Sequence, residues 1–157
     1  MTKKIQTSRS LALWILFLLL LVIGISGMIS GPMLFLSPEG ALMKLSVDVL
    51  KGTPFTSFVI PGLMLFLFIG AFPIMVGYGL LRQPSWRWAE AINICKKYHW
   101  SWTAAWAAGV IMLIWIVVET ALLGYISFLQ PVILLWGIAI ITLTLLPGIR
   151  RYYLSPA

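Results

Sequence analysis

The chain has 157 residues, of which 61% are hydrophobic and only 10% are charged. Soluble domains carry about 25% charged residues, and a small soluble fold leaves too much surface wet to hide this much apolar area. The single cysteine excludes an intramolecular disulfide, and one histidine with four acidic residues provides too few ligands for a typical metal site. The composition therefore predicts one membrane-embedded domain over residues 1–157, without a metal or cofactor.

The formal net charge is +7, from 11 basic and 4 acidic residues. A basic balance can indicate nucleic-acid binding, but no basic stripe with interleaved aromatic residues lies outside the apolar segments. Positive residues that flank membrane helices explain the same excess. We expect the lipid bilayer to be the partner of this chain and expect no nucleic acid.

Four apolar stretches follow one another along the chain, at residues 11–29, 55–81, 102–125 and 128–149. A helix of about 20 residues crosses a hydrocarbon core of roughly 30 Å. The stretches do not alternate apolar and polar residues as the strands of a membrane barrel would. They therefore predict an all-α fold, a four-helix transmembrane bundle. The first stretch lacks a clear cleavage site, so we interpret it as a span and not as a signal peptide.

Nine of the eleven basic residues fall on one side of this four-span arrangement. They are Lys3, Lys4 and Arg9 in the N-terminal tail, Arg82, Arg87, Lys96 and Lys97 in the second loop, and Arg150 and Arg151 in the C-terminal tail. Because basic residues concentrate on the cytoplasmic side, both termini and the second loop are predicted to be cytoplasmic. Residues 30–54 are then outside, and the predicted location is the cell or inner membrane.

The first loop contains the signals of a helix. Ser37 is a suitable N-cap, Pro38 suits the first helical position, and Gly52 can end the helix. Three of its charged residues share one helical face: Lys44, Asp48 and Lys51. The pattern predicts an amphipathic helix over residues 38–51 that lies on the outer membrane surface or caps the bundle.

The second loop also has a helical pattern, from Ser85 to about Tyr98, which predicts that Cys95 lies on a buried apolar face. Within the spans, Gly24, Gly27 and Gly31 mark one side of the first helix, where a close helix contact is expected either within the chain or between subunits. Pro61 and Pro73 predict a kink in the second span.

Glu119 is the one acidic residue inside a predicted span, six residues or about 9 Å before the span ends at Tyr125. A carboxyl at this depth is costly and usually faces the interior, a cavity or a partner, and desolvation favours its neutral form. One interpretation is a proton-carrying or cation-binding group. The other is a residue that ties helix ends together, sharing its proton with Gln130 or Ser30.

Trp115 precedes Glu119 by four residues and shares its helical face. Together with polar and aromatic residues near the same helix end, this pair predicts a small pocket that binds a ligand or carries protons. The predicted site comprises Glu119, Trp115, Thr120, Gln130 and Tyr125. No catalytic residue is predicted, because the chain has no phosphate-binding glycine loop, nucleophile elbow or acid pair.

The last hairpin reads Glu119-Thr120, Gly124, Ser127, Leu129-Gln130-Pro131, Leu146-Pro147 and Arg150-Arg151-Tyr152. It resembles the final hairpin of uncharacterised small four-span bacterial inner-membrane proteins, over about a fifth of the chain. The resemblance implies a bacterial membrane protein and brings no activity with it.

These observations predict a non-enzymatic membrane protein that acts by binding. It is either an accessory or regulatory subunit of another membrane protein or a binder of a lipophilic ligand. The alternative is a small proton-linked transporter that uses Glu119 and works as an oligomer.

Overall fold

The computed structural model describes residues 10–155, and this part of the chain is helical, with no strand. Its helices are α1 (Leu11–Phe35), α2 (Val59–Arg82), α3 (Arg87–Ile92), α4 (Trp100–Leu123), α5 (Leu129–Leu145) and α6 (Pro147–Tyr152). Helices α1, α2 and α4 are long and apolar enough to cross a membrane, whereas α5 is a shorter apolar helix. The predicted all-α fold is confirmed, as are three helices of spanning length and composition.

The long helices pack side by side around one apolar core. Helix α1 packs along α2, α4 packs along α5, and the two pairs meet where α2 contacts α4 and α1 contacts α5. The core between them is formed by buried aliphatic side chains such as Leu16, Leu20, Val76, Met112 and Ile140. We call the end with residues 36–58 the first-loop end and the end with residues 83–99 the second-loop end.

Glycines set the distance between α1 and α2. A Cβ atom added at Gly27 would lie 2.5 Å from the backbone nitrogen of Gly70, and one added at Gly31 would lie 2.6 Å from the Cβ of Phe66. Helices approach this closely only where side chains are absent. The glycine face predicted for the first span is therefore a contact within the chain.

Helix α2 contains a π-helical segment, Leu65–Ala71, which ends two residues before Pro73. In this segment the N–H of Phe72 donates to the carbonyl of Leu67, five residues earlier. A proline has no N–H, and its ring collides with the carbonyl four residues back, so the wider π turn accommodates it. The π-helical segment is the departure from regular α geometry that the structure has near Pro73, whereas Pro61 lies in the first turn of α2, where a missing N–H costs little.

The prediction of one amphipathic helix over residues 38–51 is wrong. The segment forms two short 3-10 helices, Ala41–Met43 and Val47–Leu50, and Lys44 between them has a left-handed φ of 55°. Met43 and Leu45 would point to opposite sides of one continuous helix. Here both pack against the same buried cluster of Leu34, Leu50 and Phe58. Burial of these side chains outweighs the local helical signals.

The predicted fourth span over residues 128–149 is also interrupted. Leu146 has an extended ψ of 135°, and a separate short helix starts at Pro147. A residue that precedes proline is driven out of the helical region, so α5 ends at Leu145 after 17 residues.

The second loop is helical only over Arg87–Ile92, less than predicted. Asn93 ends this helix in an extended conformation, and its side-chain amide donates to the carbonyl of Tyr98 at 2.8 Å. An asparagine that bonds nearby backbone competes with helix formation. Cys95 follows in the irregular part and is exposed, so the prediction of a buried Cys95 is wrong.

Candidate functional site

Helices α2 and α4 are in contact at one end and separated at the other. At the second-loop end, a Cβ atom added at Gly79 of α2 would lie 2.5 Å from the ring of Trp100 in α4. Toward the first-loop end the two helices face each other across a cavity of about 460 Å³. This volume lies in the range of small-molecule sites, about 300–1,000 Å³.

The walls of the cavity are almost entirely apolar. Helix α2 contributes Pro61, Met64, Leu65 and Phe68, and helix α4 contributes Ile111, Ile114, Trp115, Val118, Glu119 and Leu122. The first loop closes the end with side chains that include Met43, Leu45, Leu50, Thr53, Phe55 and Phe58. Met64, Phe68, Ile114 and Val118 are also exposed on the outside of the helices, so the cavity opens sideways between α2 and α4.

One carboxyl group interrupts this apolar lining. Glu119 is half-buried, and its Oε2 accepts a hydrogen bond of 2.9 Å from the indole Nε1 of Trp115. The spacing of four residues places both side chains one above the other on the cavity side of α4. No other described residue forms a hydrogen bond with the carboxyl group, so Oε1 remains able to interact with a ligand.

The second polar side chain in the lining is already used within the first loop. The hydroxyl of Thr53 donates to the carbonyl of Leu50 at 2.8 Å and accepts from the N–H of Phe55 at 3.2 Å. These bonds fix the turn that closes the cavity. Glu119 therefore carries the polar chemistry that the described lining can offer a ligand.

The structure divides the five residues of the predicted site into two groups. Trp115 and Glu119 line the cavity together. Thr120 and Tyr125 do not line it, and Tyr125 is 70% exposed near the end of α4. Gln130 lies in α5, where it is buried and outside the lining.

The side-chain amide of Gln130 bonds to the backbone of the turn between α4 and α5. Its Oε1 accepts from the N–H of Ile126 at 3.0 Å, and its Nε2 donates to the carbonyl of Gly124 at 3.0 Å. These bonds satisfy backbone groups left unpaired where α4 ends and α5 begins. The hydroxyl of Ser30 donates to the carbonyl of Ser26 at 2.7 Å, and the hydrogen bond that the described residues make to Glu119 comes from Trp115, not from Gln130 or Ser30.

Sequence reasoning missed the wall opposite Glu119. Met64 and Phe68 from α2 and Leu50 from the loop contribute to it, and nothing in their local pattern separates them from ordinary lipid-facing or core residues. The one signal was Pro73, since a proline inside an apolar helix indicates a departure from regular α geometry nearby.

A cluster of hydrogen-bonded polar side chains lies at the second-loop end, around the carboxyl group of Glu90. The carboxyl of Glu90 accepts from the backbone N–H of Trp100 and from the side-chain amide of Asn93, each at 3.2 Å. The Nε2 of His99 lies 3.8 Å from the same carboxyl group, and burial lowers the pKa of His99 although Glu90 opposes the shift. These contacts close the connection between α3 and α4.

Within the described residues, no group of three or more His, Cys, Asp or Glu could hold a metal ion. The chain matches no protein-family model, and no curated protein or solved structure is detectably similar to it. The resemblance of the last hairpin to small four-span bacterial proteins stays a prediction. No similar protein therefore suggests a function, and the geometry of the cavity is the basis for the proposal below.

Proposed function

We propose that this chain is a four-span membrane protein that binds a lipophilic ligand in the cavity between α2 and α4. The observation that carries the proposal is the cavity itself, which is apolar, open sideways between two long apolar helices, and provided with one carboxyl group. Binding sites for small molecules have this composition, with apolar walls and a few placed polar groups.

The four-span arrangement is supported by length and charge. Helix α5 has 17 residues, a length of about 25 Å at 1.5 Å per residue, at the lower limit for a transmembrane helix. The excess of basic residues at the second-loop end favours a cytoplasmic position for that end and for both termini. The cavity then opens in the outer half of the membrane, where a ligand could enter directly from the lipid.

Cys95 offers a direct test of this orientation, because it is the single cysteine of the chain and it is exposed. A membrane-impermeant maleimide should label Cys95 in inverted vesicles and not in right-side-out vesicles. The matched variant Cys95→Ser/Lys51→Cys moves the thiol to the exposed first loop and should reverse the pattern. Labelling of Cys95 from the outside would contradict the proposed topology.

Ligand binding is tested by filling the cavity from the side that faces lipid. Ile114→Trp/Val118→Trp places two indole rings at exposed positions of its wall, and Val117→Trp adds a ring at a neighbouring exposed position outside the lining. The probe is stearyl alcohol with a nitroxide near its methyl end, in bilayers that contain the protein. The double variant should reduce the motionally restricted fraction of the probe, whereas Val117→Trp should not. Equal fractions in all three proteins would refute binding in the cavity.

A small transporter is the second candidate, favoured by the free oxygen of Glu119 at the cavity wall. A transporter must move a solute or protons across vesicles that contain this protein alone, and Glu119→Gln must abolish the movement. An accessory or regulatory protein that responds to its ligand would instead show no flux and would co-purify with another membrane protein. We favour binding without chemistry, because the described lining presents one ionisable group and catalysis usually needs several.

A further inference from the structure

We infer that the cavity selects amphiphiles whose head group is a primary amine over alcohols and acids with the same apolar chain. This inference rests on the proposed binding function and names its ligand class. It follows from the hydrogen-bond donors and acceptors that the lining leaves available, from the absence of basic residues in the lining, and from the position of the carboxyl group along the cavity.

Apart from Glu119 itself, the side-chain donors of the described lining are already used. The indole N–H of Trp115 donates to Glu119, and the hydroxyl of Thr53 donates to the carbonyl of Leu50. What remains is Oε1 of Glu119, for which the described residues provide no hydrogen-bond partner. A ligand head group that donates hydrogen bonds is the one that this wall can satisfy, and an unsatisfied buried polar group costs about 1–3 kcal/mol.

The charges around the cavity also favour an amine over an acid. No Lys, Arg or His belongs to the described lining of the cavity. Lys51, in the first loop, is exposed and paired with Asp48 at 2.8 Å. An anionic head group would therefore enter an apolar site beside a carboxyl group with no cation to pair with, which is strongly unfavourable.

An amine fits the carboxyl group in either protonation state. A neutral carboxylic acid donates its proton to the amine nitrogen, and an ionised carboxylate accepts a hydrogen bond from the ammonium group. In both cases the pair holds one shared acidic proton, and the complex has no net charge. An uncharged pair is the form that a buried apolar site tolerates best.

The position of Glu119 sets the orientation of the ligand. Glu119 lies four residues before the end of α4, which is about 6 Å of helix. The amine head would therefore sit near the first-loop end. The apolar chain would extend from there along Phe68 and Ile111 toward the middle of the helices.

The test compares three probes that differ only in the head group: stearylamine, stearyl alcohol and stearic acid, each with a nitroxide near the methyl end. Relative association constants are measured in bilayers at slightly alkaline pH. We expect stearylamine to associate about tenfold more tightly than stearyl alcohol, which corresponds to about 1.4 kcal/mol, and stearic acid to associate least. The net charge of +7 on the chain attracts anions to its surface, so nonspecific binding would favour stearic acid and would not produce the expected preference for the amine.

Two acid-to-amide variants identify the carboxyl group responsible. Glu119→Gln should remove the preference for the amine over the alcohol and leave alcohol binding intact. Glu39→Gln makes the same acid-to-amide exchange at the same end of the molecule, in an exposed residue outside the lining, and should leave the preference unchanged. A preference lost equally in both variants would show that surface charge, and not the cavity, selects the amine.

The outcomes separate this inference from the proposed function. If all three probes bind equally and Ile114→Trp/Val118→Trp removes them all, the cavity binds apolar chains and the inference about the amine is wrong. If stearic acid binds best, the inference is likewise overturned. If the double variant removes none of the probes, the cavity is not a binding site and the proposed function fails first.

Discussion

The two ends of the helix assembly are held together in different ways. At the second-loop end, tryptophan and tyrosine side chains form hydrogen bonds between elements: Trp102 donates to the carbonyl of Thr144 at 2.8 Å, Trp100 donates to that of Pro84 at 2.8 Å, and Tyr153 donates to that of Leu80 at 2.6 Å. At the first-loop end, the indole of Trp115 bonds to Glu119 in its own helix. Among the residues that the structure describes, no side-chain hydrogen bond joins α4 to α2 at this end.

This difference shows how one molecule can combine a fixed frame with an open site. The tied end sets the positions of α2 and α4, and the helices then separate toward the end where the cavity lies. Sites that must admit a ligand are usually found in the less tightly held parts of a protein.

The largest effect is expected at the glycine contact that holds α1 against α2 along the assembly. In Gly27→Ala the new Cβ would meet backbone atoms of Gly70 at 2.5 Å, and backbone cannot rotate away. We expect a loss of about 3 kcal/mol in the free energy of unfolding, at the upper end of the range for overpacking. Unfolding by a denaturing detergent in mixed micelles measures it.

Gly148→Ala is the matched control, since a Cβ there would have no atom within 4 Å. It should leave stability unchanged or raise it slightly, because alanine favours a helix more than glycine does. A Gly27→Ala protein as stable as the Gly148→Ala protein would mean that α1 and α2 do not approach as closely as described.

A smaller effect is expected for the tryptophans of the two ends. Trp102→Phe removes a buried donor and leaves the carbonyl of Thr144 without its partner from α4, which should cost about 2 kcal/mol. Trp115→Phe breaks a bond within one helix at an open cavity and should cost less than about 1 kcal/mol. Equal losses in the two variants would show that both ends are held with similar strength.

The second-loop end should also respond to pH through His99, the only histidine of the chain. Its Nδ1 caps α4 by accepting from the N–H of Ser101 at 3.3 Å, and burial lowers its pKa below the ordinary value of 6.5. Below pH 6.5 the unfolded chain therefore binds more protons than the folded one, so stability should fall as the pH decreases through this window.

His99→Asn separates the titration from the cap. Asparagine is a good N-cap and does not titrate, so the variant should keep most of the stability at neutral pH and lose the decrease below it. Unfolding curves of both proteins at several pH values make the comparison. An identical decrease in the variant would assign the pH dependence to other groups.

The sequence predicted the features that depend on composition and spacing over many residues. Apolar runs of about twenty residues predicted the long helices, and Gly27 and Gly31 predicted a close helix contact. The first signal is strong because many residues contribute to each apolar run. The second is strong because glycine has no side chain and so permits close contact between helices.

Features that depend on which of several neighbours a residue contacts in the folded structure could not be predicted from the sequence. Lys44 interrupts the loop helix because side chains around it pack against Phe58, far along the chain. Glu119 bonds to Trp115 in its own helix, and Gln130 bonds to the turn after α4, so the two side chains do not form the pair that the sequence suggested. The cavity itself needs the relative positions of α2 and α4, which no local pattern contains.

The smallest effect on stability is expected at Glu119, although it is central to the proposed site. The amide of Glu119→Gln keeps the size of the side chain and an oxygen that can accept the hydrogen bond of Trp115. No other described residue depends on the carboxyl group, so we expect a change of less than about 0.5 kcal/mol in the free energy of unfolding.

The reverse exchange, Gln130→Glu, provides the comparison. It replaces the amide nitrogen that donates to the carbonyl of Gly124, in a side chain that is only 4% exposed, and it should cost about 1–3 kcal/mol. Both variants differ from the parent by the same atoms at the same end of the molecule. If Glu119→Gln instead destabilises the protein as much as Gln130→Glu does, the carboxyl group holds the fold together. Its accessible oxygen then offers no separate argument for a ligand, and only the apolar cavity would remain in support of binding.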